Sequence, residues 1–375
     1  MTTTETDSRR LRLGTRGSRL ALTQSGQVAE ALMAAGGGGA AAAAGKASEG
    51  SGGLGIDLVT VRTDGDGDRT PLRQLGGVGV FAARLRHALL DGEVDLVVHS
   101  FKDLPTQPVE GLEVICVPPR EDPRDALCAR DGLTLADLPE GARVGTGSPR
   151  RAAQLLAARP DLEVVDLRGN VPTRLARVRG LEVVGVGTDE PVAPSRADAA
   201  GDLDAVVLAL SGLRRLGLEH CASEVLDLET MLPAPAQGAL AVEARAGEDC
   251  AELARAVAAL DDEPTRLAVT AERALMARLG AGCAAPVGAW AYLREGSQAP
   301  RVLVLRAVVT SLDGGQEVGC ELSTELPEAS GGPGAPGDTA AVRAAEALGV
   351  RAAEVLLDDG ADQIVDLHAN KPRRH

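Results

Sequence analysis

A polar stretch that follows an apolar run near residue 100 is the first candidate for chemistry. Residues 94–98 are mostly apolar and β-branched, which predicts a buried strand. Lys102 and Asp103 follow it, and Pro105 prevents the strand from continuing. Ligand sites in open α/β sheets lie just beyond the carboxyl ends of strands, so this pair stands where catalytic residues would stand. Neighbours in an extended segment point to opposite faces, so one charge can face a cleft while the other anchors. The alternative is a strand that ends in a solvated turn.

The scarcity of lysine draws further attention to Lys102. Lysine occurs only at Lys46, Lys102 and Lys371 among the 39 basic residues, and the others are arginine. Lys46 and Lys371 lie in segments predicted to be disordered. Lys102 is therefore the only lysine expected in the folded body.

Arginine recurs at three predicted strand-to-helix junctions, where free N–H groups and the helix dipole favour anions. Arginine side chains suit carboxylates because they donate two parallel hydrogen bonds. The residues are Arg16, Ser18, Arg19 and Gln24 at the first junction, Thr146, Ser148, Arg150 and Arg151 at the second, and Arg168, Gly169 and Arg174 at the third. Ser18 and Ser148 are predicted N-caps, and Pro149 suits a first helical turn, from which Arg150 and Arg151 project. Three such junctions predict one polyanionic ligand in a cleft. The alternative is a set of capped surface helices in an arginine-rich chain.

Composition excludes several classes of function. The net charge of −15 argues against binding of nucleic acid or anionic membranes, and four aromatic residues cannot form a base-stacking platform. No apolar run approaches 18 residues, and the first ten residues are polar, so neither a membrane span nor a signal peptide is expected. The six cysteines are scattered, which argues against a metal site and predicts a reduced, cytoplasmic protein.

The elements that position these residues alternate between strands and helices, which predicts an α/β fold with a small α+β domain at the end. The charged segment 120–126 is predicted to be a hinge between domains. Helices are expected over 247–260 and 264–279, and insertions over 35–55 and 187–200. The glycine-rich turn at 76–81 lacks the spacing of a dinucleotide fingerprint, which argues against a dehydrogenase. Cys283 lies in a loop of small residues, where a buried, inert cysteine is the commoner case.

The motifs in their order resemble the porphobilinogen deaminase family, also called hydroxymethylbilane synthase. The resemblance runs from about residue 11 to beyond residue 360. It rests on the segments 14–18 (GTRGS), 99–105 (HSFKDLP), 120–126 (REDPRDA), 145–151 (GTGSPRR), 167–170 (LRGN), 237–239 (QGA) and 282–283 (GC). It implies a transferase of heme and tetrapyrrole biosynthesis, which condenses four porphobilinogen molecules and releases ammonia. The fold would have two lobes resembling type II periplasmic binding proteins, with the cleft between them, and a small third domain.

The resemblance also implies roles for individual residues. Asp103 would be the catalytic carboxylate, and Cys283 would hold a dipyrromethane cofactor through a thioether. The cofactor would also contact Lys102, Asp103, Thr146, Ser148, Arg150, Arg151, Arg168 and Gly169, and the substrate would contact Arg16, Ser18, Arg19, Gln24, Arg174, Arg215 and Gln237. The expected domains are 1–119 with 237–260, 120–236, and 261–375, in a monomer.

Some positions depart from the family's pattern. Val78 stands where many members have lysine, Gly147 replaces a common serine and so removes a hydroxyl donor, and Pro235 and Ala236 replace the usual residues before Gln237. The alternative function is a non-enzymatic module that binds a di- or tricarboxylate. That alternative gives no role to Cys283 or to the third domain.

Overall fold

A computed structural model of the chain describes residues 10–36, 53–61, 80–183, 201–247, 250–282, 285–294, 301–327 and 339–367. Within them, the chain forms two five-stranded sheets and one three-stranded sheet, with helices packed against each. The expected fold class, α/β with two sheet-based lobes and a small α+β domain, is confirmed.

The first sheet has the strand order β2-β1-β3-β10-β4. Its strands are β1 Arg10–Thr15, β2 Gly55–Thr60, β3 Leu96–Ser100, β4 Leu112–Cys116 and β10 Leu240–Arg245. Helices α1 Arg19–Ala35 and α6 Ala251–Leu260 bury leucine, valine and alanine against one face, and α2 Val80–Leu90 covers the other. These elements form the first lobe. Helix α6 begins at Ala251 and not near residue 247 as expected.

The second sheet has the strand order β7-β6-β8-β5-β9. Its strands are β5 Asp125–Ala129, β6 Arg143–Gly145, β7 Glu163–Val165, β8 Ala205–Ala209 and β9 Glu224–Val225. Helix α3 Pro149–Ala158 packs on one face, and α4 Val171–Leu175 and α5 Leu210–Arg215 pack on the other. These elements form the second lobe. The segment predicted as a hinge over 120–126 ends earlier than expected, because Asp125 and Ala126 belong to strand β5; that the rest of it acts as a hinge stays a prediction.

The two lobes share one plan. In each sheet the fourth position is taken by a strand from one end of the lobe's sequence, the last strand in the first lobe and the first strand in the second, and it runs antiparallel to both neighbours. In the first lobe this strand is β10, and in the second it is β5. The chain must therefore cross between the lobes twice, over residues 117–124 and again over residues 226–239.

The third unit, called the end domain here, is an antiparallel sheet covered by two long helices. Its elements are β11 Val287–Arg294, β12 Val302–Thr310, β13 Glu317–Glu325, α7 Glu263–Leu279, α8 Thr339–Asp358 and α9 Ala361–Ile364. Alternate residues of β11 and β12 pack against α7 and α8 in a core of leucine and alanine, which gives the α+β arrangement expected from the sequence.

Several sequence predictions lie outside the described residues, among them Val78, most of the insertions at 35–55 and 187–200, and Cys283 itself. No helix within the described ranges is both long enough and apolar enough to cross a membrane.

Candidate active site

The turn that carries Lys102 and Asp103 is held by the end domain. Strand β3 ends at Ser100, and residues Phe101–Asp103 form one turn of 3₁₀ helix, in which the Leu104 N–H donates to the Phe101 carbonyl at 3.2 Å. Arg273 of α7 donates to the carbonyls of Leu104 at 2.7 Å and Pro105 at 2.8 Å. Its guanidinium also lies 4.5 Å from the centre of the Phe101 ring.

This turn replaces the extended backbone that was expected at the two charged residues. Lys102 and Asp103 line the same cavity from a helical turn, so the prediction of an extended segment at these residues is wrong, whereas the expectation that one charge faces a cleft and the other is anchored agrees with their contacts. The physical reason is that the extended backbone stops at Ser100 and a helical turn follows. Asp103 is exposed towards the cavity, whereas Lys102 is partly buried and donates to the side chain of Gln237 at 3.0 Å.

All three units contribute to the wall of this cavity. The first lobe supplies Lys102 and Asp103, the second supplies Ser148, Arg150 and Arg151, and the end domain supplies Gly282 and Ala285. Cys283 follows Gly282 directly in the sequence but lies outside the described residues. The cavity therefore joins the predicted catalytic pair to the two ends of the short segment that contains the predicted attachment site.

The sequence suggested that Arg150 and Arg151 project freely from helix α3, but they do not. Both are buried, and both donate to Asp125 at the start of β5, with Nη2–carboxylate distances of 2.7 Å and 2.8 Å. Burial alone would raise the pKa of Asp125, but the two guanidinium groups outweigh it and hold that pKa well below its ordinary value. Asp125 is thus ionised, and it fixes the two arginines in the wall of the cavity.

The start of α3 has the local structure that the sequence predicted. The Ser148 hydroxyl accepts from the Arg151 N–H at 3.5 Å, and Pro149 is the first helical residue, so both the cap and the proline are confirmed. Thr146 is buried, and its hydroxyl oxygen accepts from the Ser148 N–H at 3.2 Å. These contacts hold the backbone before the two arginines.

Gly147 has a steric role that its departure from the family's pattern did not suggest. A Cβ atom at this position would lie 2.4 Å from the carbonyl oxygen of Leu167, closer than van der Waals contact allows. A side chain here therefore requires the backbone of the loop to shift.

Substitution of Gly147 by serine is expected to lower the free energy of unfolding by about 1–3 kcal/mol, the usual cost of overpacking. Urea denaturation measures the change. Gly26→Ser in α1 is the control, because nothing lies within 4 Å of the Cβ position there. The control should change stability by less than about 0.5 kcal/mol. Equal stability of Gly147→Ser and the unmodified protein would show that the loop accommodates the hydroxyl without cost.

Positive charge accumulates around the cavity. Burial, reinforced by repulsion from Arg151, lowers the pKa of Lys102 to about 8. Burial and repulsion from Arg151 and Arg168 lower the pKa of Arg174 to about 10, and burial lowers that of Arg215. Arg174 donates to the Gly169 carbonyl at 2.7 Å, and Arg215 to the Gly238 carbonyl at 2.6 Å. These lowered pKa values indicate that burial and neighbouring cations destabilise the positive charges. A bound anion would offset that repulsion and would therefore be stabilised here.

The first junction lies outside the lining of this cavity. Ser18 caps α1 by accepting from the Ala21 N–H at 3.3 Å, so its predicted cap is confirmed. Gln24 is buried and accepts from the Ser100 hydroxyl at 3.2 Å, which ties α1 to the end of β3. Leu20 packs on the core of the second lobe, so this junction lies between the lobes. Arg16 is partly exposed, and Arg19, Arg168 and Gly169 are exposed.

Gln237 was expected to contact substrate; it lines the cavity, and the contact with substrate stays a prediction. Its side chain is fully buried, and both ends of the amide already have protein partners, Lys102 on one side and Asp125 on the other. A ligand would therefore compete with these protein partners for the amide.

Sequence reasoning missed four residues that support the site. They are Asp125, Arg273, and the buried pair of Arg120 with Glu272, whose atoms approach to 2.6 Å. Asp125 had a signal, since it precedes a short apolar segment that reads as a strand. Arg273 and Glu272 are neighbours on a predicted helix, and nothing in the local pattern distinguishes them from other helical charges.

Comparison with known proteins gives a consistent result. Residues 11–252 match the family model for the dipyrromethane cofactor-binding domain of porphobilinogen deaminase, and residues 266–358 match that for its C-terminal domain. The porphobilinogen deaminase of Cutibacterium acnes is 51% identical over 366 residues, covering 97% of this chain and 99% of that protein. That of Micrococcus luteus is 52% identical, covering 94% of this chain and 93% of that protein.

Among solved structures, the ectoine-binding protein TeaA of a TRAP transporter aligns at 11% identity with a TM-score of 0.33. The alignment covers 66% of this chain and 77% of that protein. A TM-score of this size is too low to support an argument.

Proposed function

The chain belongs to the porphobilinogen deaminase family, and from that premise we propose that Asp103 is its catalytic carboxylate and that Cys283 carries its cofactor. The family's reaction is hydroxymethylbilane synthesis, in which a transferase joins four porphobilinogen molecules head to tail and releases ammonia. Its cofactor is dipyrromethane.

One observation carries the proposal. A single cavity is lined by Lys102 and Asp103 from the first lobe and by Arg150 and Arg151 from the second. Its lining also includes Gly282 and Ala285, which flank residues 283–284 in the sequence. A group attached at Cys283 would therefore start beside the carboxylate and the cations. A site for a free dicarboxylate would not need a segment with a cysteine in its sequence at this cavity.

The residues fit a polypyrrole with carboxylate side chains. Each pyrrole ring carries an acetate and a propionate, and the cavity presents buried cations with depressed pKa values to receive them. The buried Nε atom of Arg150 has no hydrogen-bond partner among the described residues, so a carboxylate there would satisfy it. Lys102, Arg150, Arg151 and Ser148 would hold the cofactor, with Thr146, Arg168 and Gly169 shaping the loops around it.

Asp103 would stabilise the reacting cation and accept the released proton. Departure of ammonia from porphobilinogen leaves a positively charged methylene-pyrrole, and an ionised carboxylate beside it stabilises that charge. The same oxygen can accept the proton that the attacking ring releases after the new carbon–carbon bond forms. The bound cofactor supplies the tethered end to which substrate is added, which makes each addition effectively intramolecular. Arg16, Ser18, Arg19, Arg174 and Arg215 are proposed to bind the carboxylates of substrate and of the growing chain.

The remaining expectations are proposals of the same kind. We propose domain boundaries that give 1–119 with 237–260, 120–236, and 261–375, supported by the strands of each sheet falling within one of these ranges. We also propose that the protein is a monomer in the cytoplasm, with porphobilinogen as its substrate.

Intact mass spectrometry of the purified protein tests the attachment site. The unmodified chain should carry a covalent mass equal to two pyrrole units and give a colour with acidic aldehyde reagent. Cys283→Ser should lose both signals. Cys320→Ser is the matched control, because Cys320 is a partly exposed thiol on the far strand of the end domain, and it should keep the adduct.

An unmodified chain that binds a carboxylate but does not turn over porphobilinogen would favour the carboxylate-binding module instead. An adduct that persists in Cys283→Ser would reject the attachment site and leave the family activity standing.

A further inference from the structure

Gln237 lies on the segment by which the chain returns from the second lobe to the first, and every hydrogen-bonding group of its amide is engaged. Its Nε2 atom donates to the Pro123 carbonyl at 2.7 Å and to Asp125 Oδ1 at 2.8 Å. Its Oε1 atom accepts from Lys102 Nζ at 3.0 Å and from Arg151 Nη2 at 3.5 Å. The residue is fully buried, so water does not compete for these bonds.

The surroundings dictate which way the amide faces. The ionised carboxylate of Asp125 and the carbonyl of Pro123 only accept, so the NH₂ group must face them. Lys102 and Arg151 only donate, so the oxygen must face the cations. A carboxylate at this position would have one oxygen against Asp125, and an apolar side chain would leave buried groups on both sides without partners.

The backbone around Gln237 is equally constrained. Arg120 donates from Nε to the Gln237 carbonyl at 2.8 Å, and Glu272, which pairs with Arg120, accepts from the Ala236 N–H at 2.5 Å. Ala236 has φ of 61°, a left-handed conformation that a residue with a side chain rarely adopts. A Cβ atom at Gly238 would lie 2.3 Å from the Glu121 carbonyl oxygen. The amide is therefore held from both sides in one place.

We propose that Gln237 is a positioning residue, which holds the ammonium group of Lys102 in the cavity beside Asp103 by means of a neutral acceptor. A neutral acceptor satisfies an N–H of the ammonium without cancelling its positive charge. This inference rests on the proposed function, in which Lys102 binds carboxylates of the cofactor.

The charge of Lys102 is finely balanced, which is why an acceptor matters. Burial opposes its protonation, as do Arg151 and Arg150 of α3, whereas Asp103 in the same turn and Asp125 of β5 favour it. These effects leave the pKa of Lys102 at about 8, below its ordinary value. Loss of the Gln237 oxygen should lower this pKa further, and a carboxylate in its place should raise it.

The small number of lysines allows a direct test. The chain has three lysines, so protein labelled with ¹³C at lysine Cε gives few NMR signals, and the Lys102 signal is identified by its loss in Lys102→Arg. Gln237→Met, of similar length but without the acceptor, should move the Lys102 titration midpoint down by about 1 pH unit. Gln237→Glu should move it up by a similar amount. Unchanged midpoints in both variants would overturn the proposal.

Gln154→Met is the matched control. Gln154, in the second lobe, is likewise a buried amide, and it bonds the Leu232 backbone through both ends, at 2.7 Å and 3.1 Å. A general loss of packing would move the Lys102 midpoint equally in Gln154→Met and Gln237→Met, which would reject a positioning role. If Gln237→Met does not fold, Gln237→Asn, whose amide is one methylene too short, should give the same downward shift.

Intact mass of each sample separates this inference from the proposed function. Midpoints are compared only between samples with the same fraction of cofactor. Opposite shifts in Gln237→Met and Gln237→Glu, in a protein that never carries an adduct, would support the positioning role while rejecting the attachment of a cofactor.

Discussion

Replacement of Asp103 by asparagine is expected to reduce the rate of hydroxymethylbilane formation by at least about a hundredfold, and by up to about ten-thousandfold. The amide has nearly the same shape, but it neither carries the charge that stabilises the substrate cation nor accepts the proton released on condensation. Because Asp103 is exposed to the cavity and is not part of the core, the fold should survive. The measurement is the initial rate with porphobilinogen, read as uroporphyrin after cyclisation and oxidation.

Two controls make this result specific. Asp57→Asn changes a carboxylate that pairs with Arg10 on the surface of β2, and it should keep the full rate. Thermal unfolding of Asp103→Asn should match that of the unmodified protein. Near-normal turnover in Asp103→Asn would refute the role proposed for this carboxylate, whatever the state of the cofactor.

Replacement of Asp125 by asparagine should produce the largest loss of stability, about 3–5 kcal/mol in the free energy of unfolding. The carboxylate accepts hydrogen bonds from Arg150, Arg151 and Gln237, and its removal leaves two buried guanidinium groups without a counter-charge. Urea denaturation at neutral pH measures the difference. Asp57→Asn is again the control, because an exposed ion pair contributes less than about 1 kcal/mol.

The effect should depend on pH in a defined direction. The folded pKa of Asp125 lies below its unfolded value, so in acid the unfolded chain binds more protons than the folded protein does. The stability that Asp125 contributes is therefore fully present above about pH 4, and it is lost as the pH falls towards the folded pKa. The gap between Asp125→Asn and the unmodified protein should narrow in acid. A gap that stays constant with pH would mean that the residue contributes through shape and not through charge.

Much of the site could be predicted from short stretches of sequence. The caps formed by Ser18 and Ser148, the proline that starts α3, and the strand that leads to Lys102 all depend on residues within a few positions of one another. Backbone geometry and side-chain capping act over that range, so a local pattern contains all the information they need. The order of the motifs was enough to indicate the family.

The tertiary structure decided which groups pair with the charged side chains of the site. Asp125 meets Arg150 and Arg151 from 25 and 26 residues away, and Gln237 meets Lys102 across 135 residues. No local sequence pattern encodes pairings over such sequence separations, because these pairings depend on how the two lobes and the end domain pack. The turn at Phe101–Asp103 could not be predicted for the same reason, because Arg273 of the end domain bonds the carbonyls that follow it.

The sequence by itself determined which residues are available for chemistry and which local elements carry them. Only the packed molecule decided that two arginines expected to project freely are paired with a buried carboxylate, and that the side chain of Gln237 accepts a hydrogen bond from Lys102. The physical reason is burial: a charged or polar side chain removed from water must find a partner, and the partner comes from whichever distant segment the fold brings against it.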